Sequence, residues 1–324
     1  MDQLLDTHNA AEIFFQQAAR PELADKARCK VPAGEGEWVD VTWGEMARRI
    51  EALASFLLDR GVDKDVKVAV LANTRLEWGL AGIALVSARG VLVPVYPTLV
   101  GEQLAHILAH SDAKVLFVEN AEQLKRVLLV WDKLELETVV CIEAVDVDAL
   151  ARDAGVDPGA LGERCFSMTQ AEELGTAALA EAPERVAQRR GEIALDDAGF
   201  LVYTSGTTGL PKGVLLSHRN VGVNGGDWVS LNGPLLAEGN IDILWLPMSH
   251  VYGWGQFCLG NQLGFLTYFS NPALALPHMT TLSPHIFMSV PAYWEKLAQM
   301  SQSASPDETE QHAELRRLTG GQLS

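Results

Sequence analysis

The stretch Leu201-Val-Tyr-Thr-Ser-Gly-Thr-Thr-Gly-Leu-Pro-Lys-Gly-Val214 links two short apolar runs through glycines, hydroxyl side chains and one lysine. Glycines let backbone N–H groups approach an anion closely, and hydroxyl groups can donate further hydrogen bonds. Lys212 adds a mobile positive charge, which suits a phosphate group. The stretch therefore predicts a loop that wraps a polyphosphate, directly after a strand at 200–203.

This loop differs from the common phosphate loop, which requires Gly-x-x-x-x-Gly-Lys-Ser/Thr after a strand. Here Leu210 and Pro211 separate Gly209 from Lys212, and Gly213 follows the lysine. A flexible glycine-rich hairpin turn is the structural alternative. The length of the run and the strand before it favour the phosphate-binding interpretation.

The composition limits the class of protein. The 324 residues are 48% hydrophobic and carry a formal net charge of −17, which argues against nucleic acid as a partner. The four cysteines are scattered, so we expect reduced thiols and no zinc site. The chain begins without the features of a signal peptide, and no apolar run approaches ~18 residues. These observations predict a cytoplasmic protein without a transmembrane segment.

Short apolar runs alternate with segments of helical periodicity, which predicts βαβ units and an α/β fold with parallel sheets. Thr42 and Glu45 fit a capping box that starts a helix ending at Gly61. Residues 301–312 are polar and are predicted as a loop. The predicted strands are 66–71, 91–96, 114–118, 138–142, 200–203, 241–246, 265–269 and 286–290, and the predicted helices are 76–88, 101–110, 121–131, 217–231, 250–263 and 291–300.

A second informative run is Leu246-Pro-Met-Ser-His-Val-Tyr-Gly-Trp254. His250 follows a predicted strand end, where α/β proteins place ligands, although a lone histidine is more often structural. Trp254 lies one helical turn after His250, and its simplest alternative role is packing in the core.

Both runs resemble motifs of the adenylate-forming (AMP-binding) superfamily, which includes acyl-CoA synthetases, luciferase-like proteins and adenylation domains of peptide synthetases. The sequence Val-Pro-Val-Tyr-Pro-Thr at 93–98 most resembles the corresponding segment of long-chain fatty acyl-CoA synthetases. Nearly the whole chain shares the resemblance, apart from 143–190. Further matching segments are 61–73, 77–78, 88–98, 102–118 and 290–297.

The resemblance implies two βα-type layered sheets of the superfamily's N-terminal domain, truncated before its end. We expect a partial domain over 8–324, with a first βα subdomain at 38–142, a variable linker at 143–195 and an incomplete phosphate-loop and substrate subdomain at 196–324. The family's later Tyr-Gly-x-Thr-Glu and Thr-Gly-Asp runs and its mobile C-terminal domain are expected to be missing. The chain alone is therefore expected to be inactive.

The resemblance also implies the chemistry. ATP with Mg²⁺ would activate a fatty acid as acyl-AMP, and CoA would then take the acyl group as a thioester. Lys212 and His250 would act in catalysis, and Thr204 would be a Mg²⁺ ligand. The acid would contact His250, Tyr252, Gly253 and Trp254; in long-chain acyl-CoA synthetases, a tryptophan at a matching place is held to gate the acyl tunnel. The ATP phosphates would be held by Thr204, Ser205, Gly206, Thr207, Thr208, Gly209 and Lys212.

Other functions remain open at this point. The acid could be an aryl or another carboxylic acid, or the chain could be a non-catalytic, truncated nucleotide-binding module. An ordinary nucleotide hydrolase or kinase would need Gly-Lys-Ser/Thr, which the loop lacks. The expected partners are a carboxylic acid, ATP and CoA, and the resemblance also allows a homodimer and peripheral contact with a membrane.

Overall fold

The computed structural model of this chain describes residues 8–34, 36–204 and 210–322. In these residues, 14 α-helices accompany two β-sheets, which confirms the predicted α/β class. The strands are β1 (Ala27–Gly34), β2 (Glu37–Thr42), β3 (Lys67–Leu71), β4 (Val91–Val95), β5 (Val115–Val118), β6 (Thr138–Cys141), β7 (Cys165–Ser167), β8 (Ala198–Thr204), β9 (Lys212–Ser217), β10 (Ile241–Leu244) and β11 (Leu266–Phe269).

The helices connect these strands in the order that the alternating pattern predicts. They are α1 (Ala10–Ala18), α2 (Trp43–Asp59), α3 (Leu76–Ser87), α4 (Gly101–His110), α5 (Ala121–Leu128), α6 (Val147–Ala154), α7 (Pro158–Leu161), α8 (Met168–Glu181), α9 (Arg185–Gly191), α10 (His218–Asn232), α11 (Val251–Leu263), α12 (Ala275–Leu282), α13 (Pro291–Ala304) and α14 (Glu308–Leu318). None of the helices in the described part of the chain is long and apolar enough to cross a membrane.

The larger sheet has the strand order β7-β6-β5-β3-β4-β8-β9. Its neighbouring strands are parallel except for β8 and β9, which form an antiparallel hairpin at one edge. Strands β4, β5 and β6 are buried along their whole length and, apart from Thr138, apolar, as parallel strands with covered faces should be. The hairpin edge is the part of this sheet that carries the predicted phosphate loop.

The smaller sheet has the order β10-β11-β1-β2 and joins distant parts of the chain. Strand β1 pairs with β11 in parallel and with β2 in antiparallel orientation. The sheets therefore do not follow the predicted division of the chain, because β1 and β2 belong with β10 and β11, and β8 and β9 extend the sheet of the first subdomain. Parallel pairing between segments so far apart leaves no local signal in the sequence.

Helix α3 links the two halves of the core. All of its residues except Glu77 are buried, as expected for a helix that is apolar on every side. Gly79 and Gly82 allow α11 to pack closely, because a Cβ atom at either position would lie within 2.7 Å of the Phe257 or Trp254 ring. This crossing fixes the helix that follows His250 against the centre of the molecule.

The segment 143–195, which the sequence predicts as a linker, contains ordered elements. Strand β7 extends the larger sheet beside β6, and α8 packs against α2. At Gly175 of α8, a Cβ atom would lie 1.8 Å from the carbonyl oxygen of Ala52, so this contact needs a glycine. Gly175, one of the small residues that suggest a linker in the sequence, is thus the residue that allows the two helices to approach.

Two local predictions are wrong. Residues 286–290 form a single bridge between Ile286 and Asp242 instead of a strand. Residues 301–312 are mostly helical, since α13 extends to Ala304 and α14 begins at Glu308 behind an Asp307 cap. Helix α14 buries only Leu318, so its apolar stripe is too weak to reveal a helix by periodicity.

Candidate active site

The β8–β9 hairpin places two of the predicted phosphate-binding residues opposite each other. Thr204 ends β8, Lys212 starts β9, and the two exposed residues are register partners. Opposed residues of an antiparallel pair have Cβ atoms about 5 Å apart, so one phosphate group can contact both side chains. Lys212 forms no ion pair with any described residue, which leaves its charge available to an anion. The other predicted phosphate ligands lie outside the described residues: Ser205, Gly206, Thr207, Thr208 and Gly209.

Helix α4 holds both ends of this hairpin turn through two histidines one helical turn apart. His110 Nδ1 lies 2.8 Å from the Tyr203 hydroxyl, and His106 Nε2 lies 2.9 Å from the carbonyl oxygen of Pro211. A carbonyl oxygen only accepts, so Nε2 of His106 carries the proton in this bond. Burial raises the pKa of Tyr203, which keeps its hydroxyl protonated. The sequence prediction missed this contact, although the i, i+4 spacing of the histidines in a predicted helix is a usable signal.

The base of the hairpin contains a buried histidine. His218 is the first residue of α10, and its ring lies against β8, where a Cβ atom at Gly199 would be 2.6 Å from it. Burial lowers the pKa of His218 to about 4, and the nearby charge of Asp197 opposes this shift only in part. Asp197 itself contacts Lys64 and Arg89, whose hydrogen bonds keep the pKa of this carboxyl low.

His250 is the N-cap of α11 and is exposed. Its Nδ1 accepts a hydrogen bond from the backbone N–H of Tyr252 at 3.1 Å. In the neutral ring the proton therefore lies on Nε2, which can donate outward. The N-terminus of a 13-residue helix also favours a negative charge. His250 thus has the orientation and the electrostatic setting to donate to a carboxylate oxygen.

Gly253 and Trp254 both pack against other parts of the protein and do not face an open space. A Cβ atom at Gly253 would lie 2.3 Å from the carbonyl oxygen of Pro247, so the first turn of α11 rests directly on the preceding segment. Trp254 is 2% exposed and packs against Trp78 and Phe257. The structure therefore places Trp254 in the core, which is the alternative that its spacing left open.

A cavity of about 340 Å³ lies between α10 and α11. Its wall includes Leu216, which follows Lys212 on β9, and Val251 and Tyr252, which follow His250. Most of its other side chains are apolar. The volume is within the range of roughly 300–1,000 Å³ that is usual for small-molecule sites. The cavity thus borders both the strand after the hairpin turn and the start of the His250 helix.

Tyr252 separates this cavity from a second one of about 680 Å³. Trp228 and Met288 also lie in both walls, and the second cavity continues along α13 and α14. Burial raises the pKa of Tyr252, so its ring presents a neutral, half-exposed surface between the two spaces. Of the predicted acid-binding residues, Tyr252 lies in the walls of both of these cavities, and Trp254 lines a separate, much smaller cavity of about 30 Å³ beside Gly199 and His218.

The described residues of the site do not form a set of protein ligands that could bind a metal ion by themselves. Within 8–34, 36–204 and 210–322, no group of three or more His, Cys, Asp or Glu side chains could hold a metal ion. Thr204 could supply one hydroxyl ligand. Mg²⁺ commonly binds through substrate phosphates and very few protein oxygens, so the residues present fit a metal that arrives with a nucleotide.

The chain belongs to the AMP-binding enzyme family, because the family profile matches residues 14–323. Its curated relatives are fatty-acid–CoA ligases, and its structural neighbours are adenylate-forming enzymes. The long-chain-fatty-acid–CoA ligase FadD15 of Mycobacterium tuberculosis is 30% identical over 270 residues, covering 81% of this chain and 41% of the relative. The long-chain-fatty-acid–CoA ligase ACSBG2 of Mus musculus is 28% identical over 300 residues, covering 88% and 42%. The chain thus spans about two fifths of the length of these relatives.

Two solved structures share the fold. The A-PCP didomain of the carboxylic acid reductase from Segniliparus rugosus, solved in complex with AMP, superposes with a TM-score of 0.77 at 19% identity, covering 99% of this chain and 50% of that one. The long-chain-fatty-acid-CoA ligase FadD1 from Archaeoglobus fulgidus gives 0.74 at 18% identity, covering 97% and 62%. At such identities the likeness concerns the fold alone.

Proposed function

We propose that this chain supplies the ATP-binding and acid-binding part of an enzyme that converts a long-chain fatty acid into acyl-AMP and then into its CoA thioester. The observation that carries the proposal is the apolar cavity of about 340 Å³, which borders both β9 and the start of α11. A fatty acid whose chain occupies this cavity would have its carboxylate near His250. The names of the curated relatives support the same substrate class.

In this proposal the chain acts by holding charges and orienting groups. Lys212 and Thr204 hold the β- and γ-phosphates, so that charge on departing pyrophosphate is neutralised as it develops. His250 Nε2–H holds one carboxylate oxygen while the other attacks the α-phosphorus. Bound Mg²⁺ supplies further neutralisation of phosphate charge. The thiol of CoA then attacks the carbonyl carbon of acyl-AMP, and AMP leaves.

Acid-dependent exchange of labelled pyrophosphate into ATP tests this proposal. We expect exchange with palmitate in a longer natural protein that carries this chain, and none with the 324 residues alone. Lys212→Met and His250→Phe should each abolish most of it. Exchange that depends on an aryl acid, with none on palmitate, would move the proposal to that substrate class. A longer protein that shows no exchange with any acid would support a non-catalytic nucleotide-binding module.

A further inference from the structure

Thr74 makes an unusual pair of contacts with the segment that leads to His250. Its hydroxyl donates a hydrogen bond to the carbonyl oxygen of Leu246 at 2.7 Å and accepts one from the backbone N–H of Met248 at 3.1 Å. Thr74 follows β3 of the larger sheet, whereas Leu246 and Met248 follow β10 of the smaller sheet. One hydroxyl group therefore joins the carboxyl ends of two strands that belong to different sheets.

The two bonds hold the backbone on both sides of Pro247. Proline has no backbone N–H that could donate a hydrogen bond. Thr74 therefore holds this turn through the Leu246 carbonyl oxygen and the Met248 N–H, which flank Pro247. The carbonyl oxygen of Pro247 accepts from His250 N–H at 3.0 Å and lies against Gly253 of α11. The position of His250 thus depends on a turn that Thr74 holds on one side and α11 holds on the other.

Thr74 is itself held in place by its neighbours. The backbone and side-chain nitrogens of Asn73 donate to Glu119 at 2.8 and 2.7 Å, and the Arg75 guanidinium contacts Glu119 and Glu143. Glu119 is 8% exposed and directly follows β5. Because residues on both sides of Thr74 are anchored to the larger sheet, its hydroxyl is already oriented before any ligand binds.

We infer that Thr74 is a positioning residue for acid binding: its hydroxyl sets the turn at Leu246–Met248 and thereby places Tyr252 in the cavity wall and His250 directly before the wall residue Val251. This inference rests on the proposed function, in which the acid lies beside these two residues. Thr74 touches neither the acid nor the nucleotide in this account. Its effect is transmitted through the backbone of the turn.

Two substitutions separate the hydroxyl from the shape of the side chain. Thr74→Val keeps the branched shape and removes both hydrogen bonds, whereas Thr74→Ser keeps the hydroxyl. Hydrogen exchange of the Met248 amide in the 324-residue chain reports on the turn directly. We expect Thr74→Val to speed this exchange about tenfold and Thr74→Ser to leave it near the wild-type rate, since a hydrogen bond of this kind contributes about a factor of ten.

Affinity for palmitate, followed through tryptophan fluorescence of the same chain, tests the functional part. We expect Thr74→Val to weaken binding about fivefold to tenfold and Thr74→Ser to restore it, because lost preorganisation appears as lost affinity. Equal hydrogen-exchange rates of the Met248 amide in Thr74→Val and Thr74→Ser would overturn the inference. So would faster exchange with unchanged palmitate affinity, because the hydroxyl would then be only structural.

The outcome for the wild-type chain distinguishes the two proposals. If the wild type binds palmitate and both variants bind it equally well, the positioning role fails and the proposed function stands. If the wild type binds no palmitate, the proposed function fails, and the inference fails with it.

Discussion

The β8–β9 hairpin and the turn at Leu246–Met248 both present predicted site residues, but they are held by different chemistry. The hairpin is fixed by aromatic side chains with polar atoms: His106 and His110 at its ends, Tyr203 between them and His218 at its base. The turn is fixed by a hydroxyl from Thr74 and by close packing on Gly253. This difference places a pH-sensitive group at the base of the hairpin, where burial lowers the pKa of His218, whereas the contacts of Thr74 and Gly253 that fix the turn involve no titratable side chain.

The largest expected effect is the pH dependence that His218 contributes. Its pKa is lowered from 6.5 to about 4 in the folded chain, so between these values the unfolded chain binds a proton that the folded chain does not. The free energy of unfolding should therefore fall as the pH falls through this window, by about 3 kcal/mol in total, and level off below it. Chemical denaturation of wild type and His218→Gln between about pH 7 and pH 4 measures the difference.

The control for this experiment is His312→Gln, since His312 is exposed on α14. It should reproduce the wild-type pH profile, whereas His218→Gln should flatten it. Parallel profiles for wild type and His218→Gln would contradict the assignment of this acid sensitivity to the hairpin base.

The next effect concerns the turn and does not depend on pH. Gly253→Ala should destabilise the chain by about 2 kcal/mol, because the new methyl group would lie 2.3 Å from the Pro247 carbonyl oxygen and backbone must move. Gly255→Ala, two residues later in the same helix, meets no atom within 4 Å and should stabilise by up to about 1 kcal/mol. Urea unfolding midpoints compare the two. A similar loss in both variants would mean that helix α11, and not the turn, responds to the change.

A smaller effect is expected where α4 holds the hairpin. Tyr203→Phe removes the hydroxyl that contacts His110 and keeps the ring, so we expect a loss of about 1 kcal/mol. Tyr96→Phe is the matched control, because the Tyr96 hydroxyl has no hydrogen-bond partner among the residues described. The two variants can be compared by thermal unfolding at neutral pH. Equal midpoints would show that the Tyr203–His110 contact does not stabilise the hairpin.

The smallest change in stability is predicted for Lys212→Met. Lys212 is exposed and unpaired in the part of the chain that the structure describes, so stability should stay within about 0.5 kcal/mol of the wild type. Pyrophosphate binding, measured by calorimetry, should nevertheless weaken markedly, whereas Lys133→Met on another surface should leave it unchanged. Equal affinity in both lysine variants would remove Lys212 from the proposed phosphate site.

The sequence predicted the parts of this molecule that depend on local patterns. Helix α4 has the predicted bounds, Ser217 caps α10, and Thr42 caps α2 with a bond from Glu45 N–H. These features follow from periodicity and capping within a few residues. The pairing of β1 with β11 has no such signature, since its partners are far apart in the chain.

The same limit applies to the candidate site: the sequence predicts residues that a local pattern marks, and it does not predict contacts between distant segments. Thr204, Lys212 and His250 are predicted from the sequence because glycines, hydroxyls and strand ends mark them, and their roles stay predictions. Thr74 and His106 were missed because their importance lies in contacts with Met248 and Pro211, which only the folded chain creates. For Trp254, the spacing from His250 suggests a contact with the ligand, whereas the folded chain packs this side chain against Trp78 of α3 in the core.

The smaller sheet also has a consequence for synthesis of the chain. Cys29 of β1 pairs beside Thr267 of β11, about 240 residues later, so at roughly 5–20 residues per second β1 waits on the order of 10–50 s for its partner. During that time the Arg28 guanidinium also lacks Asn261, Thr267 and the carbonyl groups that surround it in the finished fold. Strand β1 is therefore among the last strands of the described fold to be completed, and a ribosome that pauses before β11 would leave an unpaired strand edge open to other chains.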